Sequence, residues 1–190
     1  NYDRTYNNFK PFQQTLDDRN IKSKFRWQAY KFAYKAFVII RELQLTRKKK
    51  AIWLDADMFF DQTIDYKWLD YLLNNKDIAF MDRRPNRFPE TGFVIWDTES
   101  TNFSTFLYHY KKCYENDHLF NLREWHDAVA FEYSIIESEK EGLETNNLSL
   151  DKEGKMTSHS HVQATGILAE RMDHIKGKRK EIGYSAERVK

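Results

Sequence analysis

Ala51-Ile52-Trp53-Leu54-Asp55-Ala56-Asp57 is the stretch that decides the fold. Its short apolar run predicts a buried strand that stops abruptly at Asp55. In a strand, residues i and i+2 point to one face, so the spacing predicts that the Asp55 and Asp57 carboxylates converge on one point. Two converging anions repel unless a cation sits between them. Hard oxygen ligands suit Mn²⁺ or Mg²⁺, ions that usually also hold substrate phosphates. A bare Asp-x-Asp is common by chance, with one Asp capping a turn and the other solvated. The preceding Ile-Trp-Leu turns the balance toward function.

Upstream of this strand, Phe25, Ala29, Phe32, Ala33, Ala36, Phe37 and Ile40 recur at three- and four-residue steps, which predicts a helix over residues 24–45. Its other face carries Arg26, Lys31, Lys35 and Arg41, as a solvated face or as phosphate contacts. Residues 47–50, all basic, form the loop out of it. Downstream the pattern predicts a helix over 66–75, a strand over 77–81, an Arg- and Pro-bearing loop over 83–89, and a strand over 93–97 entered through Gly92. Helices follow over 102–115 and 125–137, then a loop-rich stretch over 138–158. A strand is expected within 161–168, and the tail from Glu170 is charged. Residues 1–22 show no period and form an irregular lead-in. Strands alternating with helices predict one α/β domain over residues 1–190 with a mainly parallel sheet. Ligands bind at the carboxyl ends of strands in such sheets, which is where Asp55 and Asp57 stand.

The bulk numbers remove several classes. With 31 basic and 29 acidic side chains the net charge is +2, which excludes a histone-like nucleic-acid binder. Any positive field is therefore local, at residues 47–50 and 176–180. The single cysteine, Cys113, excludes an internal disulfide and a Cys-rich zinc site, and points to a reducing compartment. No apolar stretch approaches the roughly 20 residues that span a bilayer, and Asn-Tyr-Asp-Arg-Thr-Tyr at the start is no signal peptide.

Far from the Asp pair, His174, Gly177 and Lys180 are spaced as His-x-x-Gly-x-x-Lys. That spacing suits a loop wrapped over a diphosphate. Imidazole can complete a metal's coordination, glycine lets backbone approach phosphates closely, and Lys180 supplies a point charge to the departing β-phosphate. Lys176 adds charge beside it, while Lys178, Arg179 and Lys190 suit a solvated tail.

These residues resemble a known family. Ile52 to Asp57 is similar to the Asp-x-Asp signature of glycosyltransferases with the GT-A fold. His174 to Lys180 is similar to an element of their glycogenin-like branch, where Pro-Trp follows; here Glu181-Ile182 follows. Pro89 to Trp96 resembles the family's Asn-Ser-Gly strand, with Thr91 and Gly92 in the equivalent places and Glu90 beside them. Glu124-Trp125-His126-Asp127 resembles its later acidic segment. The small size is similar to the compact GT-A domains of large algal viruses. The resemblance spans residues 24–180.

It implies a GT-A, Rossmann-like domain whose mainly parallel mixed sheet is flanked by helices and lacks its first strand, since nothing in residues 1–22 reads as the base-binding strand. It implies metal-dependent transfer of a hexosyl group from a nucleoside diphosphate sugar, UDP-sugar favoured, to a glycan or other hydroxyl acceptor, with no nucleic-acid partner. Asp55, Asp57 and His174 would hold Mn²⁺ or Mg²⁺. Lys180, Gly177, Lys176, Thr91, Gly92 and Glu90 would contact substrate, with Arg26, Lys31 and Lys35 as further contacts. Asp127 would be the base or sugar-orienting carboxylate, with Glu124 and Glu90 as rivals. The expected setting is the cytoplasm of a bacterium or virus-infected cell, with a lumenal fragment as the alternative. Two competing readings are a haloacid-dehalogenase-like phosphatase, with Asp55 as nucleophile and Asp57 as general acid, and an inactive sugar-binding module. In the phosphatases Thr or Val usually stands where this chain has Phe59.

Overall fold

Ala29, Ala33, Ala36, Ile40 and Leu43 repeat at helical spacing, and in the computed structural model they form the buried stripe of the first long helix. Residues 25–156, 162–175, 177 and 179–188 are described; the expected lead-in over residues 1–22, and Lys176, Lys178 and Lys190, lie outside them. The elements in chain order are α1 (Ala29–Leu45), β1 (Lys50–Leu54), β2 (Met58–Phe60), α2 (Tyr66–Leu73), β3 (Ile78–Met81), β4 (Glu90–Asp97), α3 (Phe103–Glu115), α4 (Asp127–Lys140), β5 (Thr145–Asn147), α5 (Val162–Thr165), β6 (Met172–His174) and α6 (Arg179–Ile182). Short 3-10 helices lie at Phe25–Trp27, His118–Asn121 and Ile167–Glu170. The described residues divide into two units, a helical one up to Lys48 with Ser100–Leu143, and a sheet-bearing one of Lys49–Glu99 with the residues from Glu144 onward.

The helical unit packs α1, α3 and α4 through aromatic contacts. Phe106 meets the Phe131 ring edge-on at 5.4 Å and stacks on Tyr110 at 5.5 Å, while Phe37 meets Tyr114 at 5.9 Å. Ser134 and Ser138 are buried on α4, and each hydroxyl donates to the carbonyl four residues back at 2.7 Å, which satisfies the donors that burial removes from water.

In the sheet unit the main sheet runs β1-β4-β3-β5. β4 pairs antiparallel with both β1 and β3, and β3 pairs parallel with β5. The expected mainly parallel sheet is thus corrected to a mostly antiparallel one. Parallel neighbours need a crossover of a dozen or more residues, whereas residues 82–89 return the chain directly from β3 to β4. β1 and β3 do run parallel to each other, joined through α2, but β4 inserts between them. Strands and helices both occur as expected, but they do not strictly alternate, since β1 and β2, and β3 and β4, follow one another with no helix between, and α3 and α4 with no strand between.

A second correction concerns β1. Among the described residues it is the sheet's edge, half-buried along its length, with Ile52 44% exposed. Within this sheet the fully buried strands are β3 and the interior of β4. Against them α2 packs Trp68, Leu72 and Leu73 onto Ala79, Met81, Phe93 and Ile95, and the same core takes in Met58, Leu168 and Met172. Asp65 caps α2 by accepting from Trp68 N at 2.8 Å, and Asn74 ends it at φ 52°.

β2 and β6 form a separate antiparallel ribbon, pairing Met58 with His174, Phe59 with Asp173 and Phe60 with Met172. The strand expected within residues 161–168 is instead α5 followed by a 3-10 helix. Gly166 sits at that junction, and a Cβ there would lie 2.7 Å from Val162 O and 2.8 Å from Leu148 O. The described residues form a mixed α/β structure. None of their helices is long and apolar enough to cross a membrane.

Candidate functional site

Strand β1 ends where the Asp pair begins. Leu54 pairs with Phe93, so Asp55 comes opposite Gly92, and Asp55 N donates to Gly92 O at 2.8 Å. Met58 N then donates to Asp55 O at 3.0 Å, closing a turn that carries the chain from the first sheet into β2. The i, i+2 rule holds only along a strand. Because the chain turns at Ala56, the expected convergence of both carboxylates on one face gives way to two separate settings.

Asp55 Oδ1 accepts from the Trp53 indole Nε1 at 2.6 Å. Its Oδ2 is turned toward Gly92, where a Cβ would stand 3.3 Å from that oxygen and 2.2 Å from Met58 Cε. Glycine here leaves room for the tip of Met58, and its torsions are ordinary.

Asp57 faces the other way. Its Oδ1 lies 3.0 Å from His174 Nε2, and its Oδ2 lies 3.8 Å from Lys180 Nζ. The backbone repeats the link, with Ile175 N donating to Asp57 O at 3.0 Å. His174 is buried, Asp57 half-buried and Lys180 exposed. Gly177 adopts φ 62°, a left-handed torsion that favours glycine, and its carbonyl accepts from Lys180 N at 3.1 Å.

Behind His174 stands a buried carboxylate that sequence reasoning missed. Asp173 accepts from His174 N at 2.7 Å and from Ser185 N at 2.8 Å. Burial alone would raise its pKa, but the Ser185 and His174 hydrogen bonds and the Arg188 charge outweigh it and hold the carboxyl below its ordinary value. Trp53 was also missed as a site residue, although its i, i+2 spacing from Asp55 is the same-face signal applied one step earlier. Nothing in the linear pattern pointed to Ser185 or Arg188.

The donor set bears on the expected metal. Among the described residues no group of three His, Cys, Asp or Glu side chains surrounds one point. Mn²⁺ and Mg²⁺ need fewer, since they are commonly held by one or two protein ligands, substrate phosphates and water. Asp57 and His174 fit such an ion as a two-ligand set. Asp55 does not join them through Oδ1, which Trp53 holds.

Thr91 is buried in β4, and Glu90 Oε2 lies 3.5 Å from Arg83 Nη2. Arg26, Lys31, Lys35, Glu124 and Asp127 belong to the helical unit. There Glu124 pairs with Arg26 at 3.1 Å and with His126 Nε2 at 2.9 Å, while Asp127 pairs with Lys35 at 2.9 Å. Lys31 is exposed, 6.0 Å from the Tyr30 ring centre. Burial lowers the His126 pKa, against the opposing pull of Glu124 and Asp127. Lys35, placed by the sequence on a charged face, is half-buried against Asp127. Compared with models of known protein families and with curated proteins, the chain matches none.

Proposed function

We propose that the chain is a metal-dependent glycosyltransferase that moves a hexosyl group from a nucleoside diphosphate sugar, a UDP-sugar in first place, to a hydroxyl acceptor such as a glycan. The observation that carries this reading is the meeting of Asp57, His174 and Lys180 at 3.0 and 3.8 Å. A carboxylate, an imidazole and an ammonium at one point form a site for a divalent cation and the phosphates it carries.

Asp57 and His174 would hold Mn²⁺ or Mg²⁺, which when bound supplies Lewis-acid neutralisation of a departing diphosphate. Lys180 places a second positive charge beside the same point, where negative charge grows as the sugar leaves. Gly177 keeps the loop free of a side chain, so backbone can approach the phosphates. Asp55, whose Oδ1 is held by Trp53, is the proposed acceptor of a donor hydroxyl. Asp127 and Glu124 are the proposed base or sugar-orienting carboxylates, with Glu90 as the rival, and each already has a cationic partner.

The test is release of nucleoside diphosphate from a panel of nucleotide sugars, with Mn²⁺ or with EDTA, by wild type and Asp57→Asn. Release that needs both the metal and Asp57 is expected. Binding without any release would favour the inactive sugar-binding module.

A further inference from the structure

Lys180 stands in the one-turn helix α6, with a left-handed glycine on each side of it. Gly177 and Gly183 both have left-handed φ, at 62° and 82°, and no atom lies within 4 Å of a Cβ built on either. The Lys180 side chain is 61% exposed. An exposed, long cationic side chain loses rotamer entropy each time it engages a phosphate, so the backbone beneath it has to be fixed. Arg179, next to it, is paired with Glu187.

The fixed points are the two ends of the loop. At the upstream end His174 is paired into the β2–β6 ribbon, with Ile175 N bonded to Asp57 O. At the downstream end Ser185 is buried, and its Oγ donates to His174 O at 3.4 Å. The ends of the loop therefore meet, as in an Ω-loop. One carboxylate joins them, since Asp173 accepts from His174 N and from Ser185 N. Arg188 then fastens the outgoing chain. Its Nη2 donates to Asp61 Oδ1 at 2.9 Å, Nη1 reaches Asp61 Oδ2, and Nε donates to Ala169 O at 2.6 Å. Successive side chains of a strand point to opposite faces, so in β6 His174 reaches Asp57 while Asp173 works on the reverse side.

We infer that Asp173 and Arg188 are positioning residues that close this loop so that Lys180 is held for the terminal phosphate of a nucleoside diphosphate. The inference rests on the proposed transferase reading. It adds that affinity for the second phosphate, and not for the nucleoside or the first phosphate, depends on a clasp remote from the ligand. Preorganising the loop lowers the ordering cost of binding.

The experiment measures calorimetric Kd values for UDP and for UMP, each with Mn²⁺, in wild type, Arg188→Ala, Arg188→Lys and Asp173→Asn. Amide hydrogen exchange is followed in the same samples. In Arg188→Ala and Asp173→Asn, UDP affinity falls about tenfold, the worth of one hydrogen bond to a charged group. UMP affinity stays unchanged, and exchange quickens over residues 179–185 but not in β4. Arg188→Lys keeps the charge, loses the two-toothed fork and falls between; it also serves if Arg188→Ala does not fold. Equal loss for UDP and UMP, or unaltered exchange over residues 179–185, overturns the inference. Wild type that binds neither nucleotide overturns the transferase reading and the phosphate assignment with it, whereas the exchange data judge the clasp by itself.

Discussion

Asp57 Oδ1 and His174 Nε2 lie 3.0 Å apart although 117 positions separate them in the chain. The register of a three-residue ribbon produces this, because Met58 pairs with His174 and Asp57 is the residue just before Met58. A shift of one residue would turn His174 to the opposite face and bring Asp173 forward. The buried bonds from His174 N and Ser185 N to Asp173 oppose that shift.

Two glycines should respond differently to the same change. At Gly92 an added Cβ meets chiefly the flexible tip of Met58, at 2.2 Å, whereas at Gly166 it meets two backbone carbonyls, at 2.7 and 2.8 Å. Gly92→Ala should cost about 1 kcal/mol and Gly166→Ala about 3 kcal/mol, as overpacking costs do. Urea denaturation gives both values, and the reverse ranking would show that Met58 has no room to move.

Trp53→Phe removes the indole donor and keeps most of the ring. Stability should fall by about 1.5 kcal/mol, the low end of the range for a hydrogen bond to a charged group because the setting is half-buried. Binding of a nucleotide sugar should weaken, since Asp55 loses the bond that fixes its rotamer. Calorimetry with a UDP-sugar and Mn²⁺ checks this; unchanged affinity would remove Asp55 from the donor contacts.

Burial lowers the His126 pKa below its ordinary 6.5. As pH falls, the unfolded chain therefore takes up this proton before the folded one. The contribution of His126 is complete above about pH 6.5, is lost as pH falls from there toward the folded pKa, and is constant below it. Urea midpoints of wild type should drop between pH 8 and pH 5 more than those of His126→Gln. Parallel profiles would mean that Glu124 and Asp127 offset the burial.

Burial pushes the Cys113 thiol up to about 12. Alkylation by iodoacetamide at pH 8 should be negligible in the native protein and complete in denaturant, read by mass spectrometry. Fast native labelling would place Cys113 outside the α3 core.

The long elements were legible because each carries a period. The helical stripes of α1 and α3 run through several turns, and their bounds fall within a few residues of expectation. β2 and β6 were not legible, since three residues carry no period and Met172-Asp173-His174 lies in a charged tail. Missing this ribbon meant missing what joins the Asp pair to the His loop, although both motifs were read from their chemistry. The direction of β4 was hidden as well, because an apolar strand reads the same in a parallel or an antiparallel sheet. Arg188 and Asp61, far apart in sequence and ordinary in type, gave no signal until the fold placed them together.

The central claim is that Asp57 and His174 hold a divalent cation for a nucleoside diphosphate. The most direct measurement is calorimetric titration of UDP into wild type, Asp57→Ala and His174→Ala, each with Mn²⁺ and with EDTA. Binding by wild type that disappears with EDTA and in Asp57→Ala, and weakens in His174→Ala, is the predicted result. UDP binding of equal strength with EDTA or without the Asp57 carboxylate, or no binding in any condition, would contradict it.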